Sequence, residues 1–157
     1  MMNAIELQGL TKYYGRVCGV DGISLTVQEG DFFGFIGPNG AGKSTTIRTL
    51  LGLIGRTSGT ARVLGREAAK GNTAILAEVG YLPSEAQFYP GMRVRDVLRL
   101  SAALRGRDCA SRAKRLCERL ELDETKRVET LSLGNRKKVG VVCAMQHQPR
   151  LYIMDEP

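Results

Sequence analysis

The sequence predicts an α/β fold, and three observations carry that expectation. The apolar run Phe32-Phe33-Gly34-Phe35-Ile36 leads into the glycine-rich stretch Gly37-Pro38-Asn39-Gly40-Ala41-Gly42-Lys43-Ser44-Thr45, and Thr46-Ile47-Arg48-Thr49-Leu50-Leu51 follows, in the order strand, loop, helix. Near the other end, Leu151-Tyr152-Ile153-Met154 reads as a buried parallel strand with two carboxylates, Asp155 and Glu156, at its C-terminal end. Between these stretches, Val94, Val97, Leu98, Leu100 and Leu104 recur at helical spacing, as do Ala113, Leu116, Cys117 and Leu120.

The glycine loop carries the most specific chemistry. Glycines let the backbone fold tightly around phosphates, and successive N–H groups then make an anion nest at a helix N-terminus. Lys43 adds a point charge for β- and γ-phosphates, and Ser44 offers a hydroxyl to a magnesium ion. Gly37, Gly42, Lys43 and Ser44 all stand at the defining positions of a P-loop, which a plain glycine-rich turn has no reason to match.

The elements fall in order around it. Residues 4–10 alternate loosely and residues 23–27 cleanly between apolar and polar, which predicts two antiparallel strands. Lys12-Tyr13-Tyr14-Gly15 lies between them as a polar turn, whose adjacent rings either anchor the turn on the sheet or stack on a base. A turn at Gly55-Arg56-Thr57-Ser58-Gly59 precedes a strand over residues 60–64. Another strand, at residues 79–82, stops at Pro83. A loop over residues 84–91 leads to the two amphipathic helices, and these read as a helical subdomain inserted into the core.

A length of 157 residues with 43% hydrophobic residues suits one domain of ordinary size. No apolar run approaches the roughly 18 residues of a membrane span. Met1-Met2-Asn3-Ala4-Ile5-Glu6 lacks the character of a signal peptide, so the expected location is cytosolic. Cys18, Cys109, Cys117 and Cys143 are scattered without a C-x-x-C pair and are expected to be buried, reduced thiols. The formal charge of +7 is compatible with nucleic acid or an acidic membrane surface. Much of it, however, sits in Arg105, Arg107, Arg112, Lys114, Arg115 and Arg119, interleaved with leucines as on a solvated helix face.

Leu131-Ser132-Leu133-Gly134-Asn135 precedes one more helical pattern, with Val139, Val142 and Cys143 inward. Ser132 reads by itself as an N-cap, with Asn135 at the third helical position. Together with the P-loop and the strand ending in Asp155 and Glu156, it has a second reading, because ligands of open α/β sheets bind at the carboxyl ends of strands.

With these three motifs in this order, the sequence resembles the ATP-binding cassette (ABC) ATPases over essentially its whole length. Residues 37–45 are similar to the Walker A loop, 131–135 to the signature motif, and 151–156 to the Walker B strand. The resemblance implies a P-loop NTPase fold: an ABC ATPase core with an N-terminal antiparallel β subdomain and an inserted helical subdomain. About residues 1–83 and 146–157 would form the core, and 84–145 the helical subdomain and signature helix. It further implies that Gly37, Asn39, Gly40, Ala41, Gly42, Lys43, Ser44 and Thr45 bind ATP and that Tyr14 stacks on adenine. Ser44 and Asp155 would hold Mg2+, and Glu156 would act on the attacking water. Ser132 and Gly134 would bind the γ-phosphate of ATP held by a second cassette, which makes a homodimer part of the chemistry.

The wording Tyr81-Leu82-Pro83-Ser84-Glu85 looks most like cassettes of bacterial type-2 exporters of the drug, antibiotic or bacitracin-resistance kind. The implied function is ATP binding and hydrolysis at the cytoplasmic face of the membrane, coupled to a separate permease, with no direct contact to nucleic acid. The alternative is a soluble ABC ATPase acting on ribosome or nucleic acid. A P-loop GTPase is disfavoured by the lack of an Asn-Lys-x-Asp sequence. Three departures stand out: Leu133 and Asn135 replace the usual glycine and glutamine, and Ser84 stands where glutamine is usual.

Family members continue past the Walker B carboxylates into a dimer-contact loop, a further strand and a histidine that senses the γ-phosphate. His147 precedes the Walker B strand, so it is not that histidine and is expected to be a partly exposed helix-end residue. The chain therefore reads as the N-terminal part of a longer protein. Lacking the strand that would lie between residues 32–36 and 151–154, it is expected by itself to hydrolyse no ATP and to aggregate or rearrange.

Overall fold

The computed structural model describes residues 2–156, and the chain divides into two compact units, Met1–Leu76 and Ala77–Pro157.

In the first unit, β1 (Asn3–Tyr14) and β2 (Val17–Gln28) form one long antiparallel hairpin. Of the alternating apolar residues Leu7, Leu10 and Val27 are buried and Ile5, Ile23 and Leu25 half-buried, and Ala4 and Val20 are buried with them. Both strands run further than their alternation predicts, because ladder hydrogen bonds carry the pairing out to Tyr14 and Val17 across a two-residue turn. β3 (Ser58–Val63) pairs with the other edge of β1, and β4 (Arg66–Glu67), too short to leave a pattern in sequence, closes the order β2-β1-β3-β4. α1 (Lys43–Leu50) packs on β2 and β3 and buries Ile47 and Leu50.

One expectation is corrected here: residues 32–36 form no strand. The run has the apolar composition of a strand, but a strand exists only where a neighbour takes its N–H and C=O groups. Among the described residues none does, and Phe32, Phe33 and Ile36 are exposed.

In the second unit, β5 (Val79–Leu82) and β6 (Leu151–Met154) pair in parallel, with Val79 opposite Leu151 and Leu82 opposite Met154. α2 (Val94–Leu104), α3 (Ala110–Arg119) and α4 (Leu133–Met145) surround a core built on Val94, Val97, Leu98, Cys117, Val139 and Val142. Each large apolar side chain buried there contributes about 1.5–3 kcal/mol. α4 lies against β5 because Gly80 leaves room for it: a Cβ on Gly80 would stand 2.2 Å from the Ala144 carbonyl oxygen.

Three further expectations change. β6 buries Ile153 on one face, while Tyr152 and Met154 on the other are exposed, and among the described residues β5 is its strand neighbour. His147 is fully buried rather than partly exposed. Among the cysteines, all free, Cys109 and Cys117 are buried as expected, but Cys143 is half-buried and Cys18 is exposed on β2.

Candidate nucleotide-binding site

In the first unit the glycine loop is shaped by its own neighbours. Gly40 and Gly42 take φ values of 83° and 84°, a region open to glycine and costly for other residues. Gly42 has a second reason: a Cβ there would meet the Gly19 carbonyl oxygen and Val20 Cγ2, each at 2.4 Å. The loop therefore rests directly on the backbone of β2. Lys43 Nζ donates to the carbonyl oxygens of Gly37 and Pro38 at 2.6 and 2.9 Å, so the loop wraps around a half-buried ammonium group. Gly42 is also the N-cap of α1, and its carbonyl accepts from Thr46 N at 2.8 Å and Thr46 Oγ1 at 2.9 Å. The result is a fixed cationic loop at the start of a helix, which is what phosphate recognition asks of a backbone.

Gly19 also connects the loop to Tyr14. A Cβ on Gly19 would meet Tyr14 Cε2 at 2.8 Å, so the ring lies close to the same piece of β2 backbone whose carbonyl approaches Gly42. Lys12 Nζ stands 5.1 Å from the centre of that ring, within cation–π reach. Tyr14 remains 45% exposed, which leaves ring surface open beside the loop. Tyr13 pairs with Cys18 in the hairpin, and Asp21, then Cys18, holds its phenol above the usual tyrosine range.

The second unit carries the other four residues. Ser132 caps α4, its Oγ accepting from Asn135 N at 3.3 Å. Such a cap stabilises a helix by about 1 kcal/mol. Leu133 is 69% exposed, and a Cβ on Gly134 would meet nothing within 4 Å. Asp155 follows β6, is 7% exposed, and is drawn onto the end of β5 by its N–H, which donates to the Leu82 carbonyl at 2.9 Å. Glu156 is exposed, with φ at 54° in the left-handed region that non-glycine residues rarely occupy. Lys137, one turn into α4, donates from Nζ to the Glu156 carbonyl at 2.7 Å.

A family model described as ABC transporter matches residues 20–157. The chain belongs to the ABC transporter family. It is 40% identical over 158 residues to the uncharacterised ABC transporter ATP-binding protein YhaQ of Bacillus subtilis (strain 168), covering 98% of this chain and 52% of that protein. It is 38% identical over 159 residues to the bacitracin transport ATP-binding protein BcrA of Bacillus licheniformis, covering 100% of this chain and 52% of the relative. The chain thus spans about half the length of these curated relatives. A solved ATP-binding subunit of an ABC transporter superposes with a TM-score of 0.87 at 30% identity, covering 97% of this chain and 65% of that one. The ADP conformation of another ABC cassette shares the fold, with a TM-score of 0.82 at 24% identity.

Two contributors to this ABC cassette escaped the sequence reading. Gly19 gives no sign in sequence that it separates Tyr14 from Gly42, because that contact comes from the register of the hairpin. Lys137 played no part in the sequence reading, and only the fold brings its ammonium to the Glu156 carbonyl. His147, expected to be partly exposed at a helix end, follows the end of α4 with its Nε2 3.3 Å from the Val79 carbonyl, which can only accept. Nε2 therefore carries the proton, and Nδ1 is buried without a partner. Burial first, and Arg105 next, hold this imidazole below the usual histidine range and so keep it neutral.

Proposed function

We propose that this chain is the ATP-binding and hydrolysing part of an ABC exporter, in which ATP-driven pairing of two identical cassettes moves a separate membrane permease. The observation that carries the reading is the Lys43 loop, held on β2 by Gly42 with the Tyr14 ring set beside it. The relatives lend the direction of transport, since their names include bacitracin transport and a probable multidrug transporter. None of the described helices is long and apolar enough to cross a membrane, and the reading places the permease in another chain or further along the same protein, with the cassette at the cytoplasmic face.

In this mechanism the loop N–H groups from Gly37 to Thr45 and the Lys43 ammonium bind the phosphates, and Tyr14 stacks on adenine. The Ser44 hydroxyl and the Asp155 carboxylate are hard oxygen donors of the kind magnesium takes alongside substrate phosphates. Once bound, that ion would offset negative charge on the phosphates. Glu156 accepts a proton from the attacking water, and the left-handed turn braced by Lys137 sets where its side chain starts. Ser132 and Gly134 present a hydroxyl and open backbone at the N-terminus of α4 to ATP held by the second cassette.

The test is Glu156→Gln in the full-length protein. ATP affinity should stay within about twofold, while hydrolysis falls at least about 100-fold, because an amide cannot take the proton. Gel filtration with MgATP should show the variant as a dimer. A monomer under those conditions with undiminished hydrolysis would overturn both the role of Glu156 and the dimer mechanism.

A further inference from the structure

Three cations follow one another in α4, and the fold sends them to different places. Arg136 is exposed, and Lys138 Nζ donates at 2.8 Å to the carbonyl of Leu120, at the end of α3. Lys137 is half-buried, and its Nζ donates to the Glu156 carbonyl at 2.7 Å. The helix period explains the difference. Lys137, Gly140 and Ala144 lie at i, i+3 and i+7 on one face of α4, and that face rests on β5. A Cβ on Gly140 would stand 2.7 Å from Leu82 Cδ1, and one on Gly80 would stand 2.2 Å from the Ala144 carbonyl oxygen. With both positions bare, helix and strand approach closely, and Lys137 reaches the turn just beyond β6.

Glu156 is held there through its main chain. Its side chain is exposed and has no hydrogen bond or ion pair among the described residues. Just before it, the Asp155 N–H donates to the Leu82 carbonyl at 2.9 Å and tethers the chain to the end of β5. Just after it, Lys137 holds the carbonyl of the peptide that leaves Glu156. Between these two bonds Glu156 takes a φ of 54°, which is unfavourable for a residue with a side chain. A hydrogen bond from a charged donor is stronger than one from a neutral donor, so Lys137 is a contact able to hold that conformation.

These contacts divide α4 between two tasks. Ser132 and Gly134, at its N-terminus, are the residues proposed to meet ATP held by the second cassette, whereas Lys137, in the following turn, faces the chain's own Glu156. We propose that Lys137 is a positioning residue for the chain's own ATP site. By holding the Glu156 carbonyl it keeps the left-handed turn that aims the carboxylate at the attacking water, and it serves this site and not the one its helix completes on the second cassette. The proposal rests on the reading of Glu156 as the group that takes the water's proton.

The test uses the full-length protein with Lys137→Met, Lys137→Arg and Glu156→Gln. In Lys137→Met the apolar stem remains and water takes the freed carbonyl of an exposed residue, so the melting temperature should stay that of the wild type. Its kcat should fall by about 10- to 100-fold with KM for ATP within about twofold, as a displaced catalytic group requires. Lys137→Arg, which keeps a charged donor, should recover kcat to within about threefold of the wild type. Mixed dimers, isolated through two different affinity tags, then assign the site. With Glu156→Gln silencing one chain, Lys137→Met should slow hydrolysis as strongly as before when it stands on the chain with the intact Glu156. On the silenced chain it should slow hydrolysis by less than about twofold. An equal loss in both arrangements would assign Lys137 to the turn at Ser132 and Gly134 and overturn the proposal. So would an undiminished kcat in Lys137→Met, or its failure to fold, since the bond would then serve stability. With Glu156→Gln inactive, those results fall on Lys137 alone; a Glu156→Gln protein that still hydrolyses ATP would overturn the role of Glu156 itself, and the proposal with it.

Discussion

Gly42 and Gly134 both stand at the N-terminus of a helix in a motif associated with ATP, and their surroundings are opposite. Gly42 is pressed against Gly19 and Val20 and held at a φ of 84°, whereas Gly134 has open space around it and sits beside an exposed leucine. The chain's own packing therefore demands the first glycine and gives no reason for the second. On the proposed mechanism, the open space at Gly134 faces the nucleotide of a second cassette. The phosphate loop is shaped by contacts within its unit, while the turn at Gly134 has no such contact among the described residues.

The sharpest way to break this comparison is to add the same methyl group to both positions. Gly42→Ala should cost about 3 kcal/mol or more of stability in the first unit, combining overpacking with left-handed strain, and ATP binding should go with it. Gly134→Ala should leave stability unchanged or raise it by up to about 1 kcal/mol, since alanine favours a helix, yet hydrolysis by the dimer should fall. Thermal melts and ATPase rates on the two full-length variants separate these outcomes, and equal destabilisation would remove the distinction.

Tyr14→Ala tests whether the first unit's site extends from the loop onto the ring beside Gly19. ATP should bind more weakly by roughly 1–3 kcal/mol, on the scale of base stacking by aromatic side chains. Tyr13→Ala should leave affinity nearly unchanged, because that ring interacts with Cys18 across the hairpin and its backbone N–H, which the substitution keeps, donates to Thr57 Oγ1. A larger loss from Tyr13→Ala, measured by nucleotide titration, would transfer the role to the other ring.

The smallest effect concerns the second unit's internal anchor. His147 has its folded-state pKa below the unfolded value, through burial and then Arg105. Its contribution is therefore complete above the unfolded value of about 6.5 and is lost as pH falls through the lower folded value. The wild-type protein should melt a few degrees lower at about pH 5 than at pH 7, and His147→Gln should lose part of that pH dependence. An identical pH profile in the variant would show that the imidazole stays neutral for no cost.

Much of this was legible in the sequence, for reasons that differ by element. The P-loop could be read because its glycines, lysine and serine each answer a local requirement of backbone or charge. The α2 and α3 patterns held because an amphipathic face repeats within one helix and needs no knowledge of what covers it. Residues 32–36 were misread for the complementary reason: apolar composition expresses a preference for strand, but strand pairing is a property of two segments. His147 was misread likewise, because a lone histidine at a helix end says nothing of the carbonyl that will face it.

By itself, then, the sequence determined what is local: the glycine loop and its helix, the amphipathic helices, the Ser132 cap, and the carboxylates at a strand end. Only the tertiary structure decided what depends on register and packing between distant segments. That covers the Tyr14–Gly19–Gly42 contacts, the hold of Lys137 on Glu156, the burial of His147, and the burial of the Gln146 amide against the Leu98 carbonyl. Hydrogen bonds and van der Waals contacts act over a few ångströms, so residues far apart in sequence acquire a shared chemistry only when the fold has closed that distance.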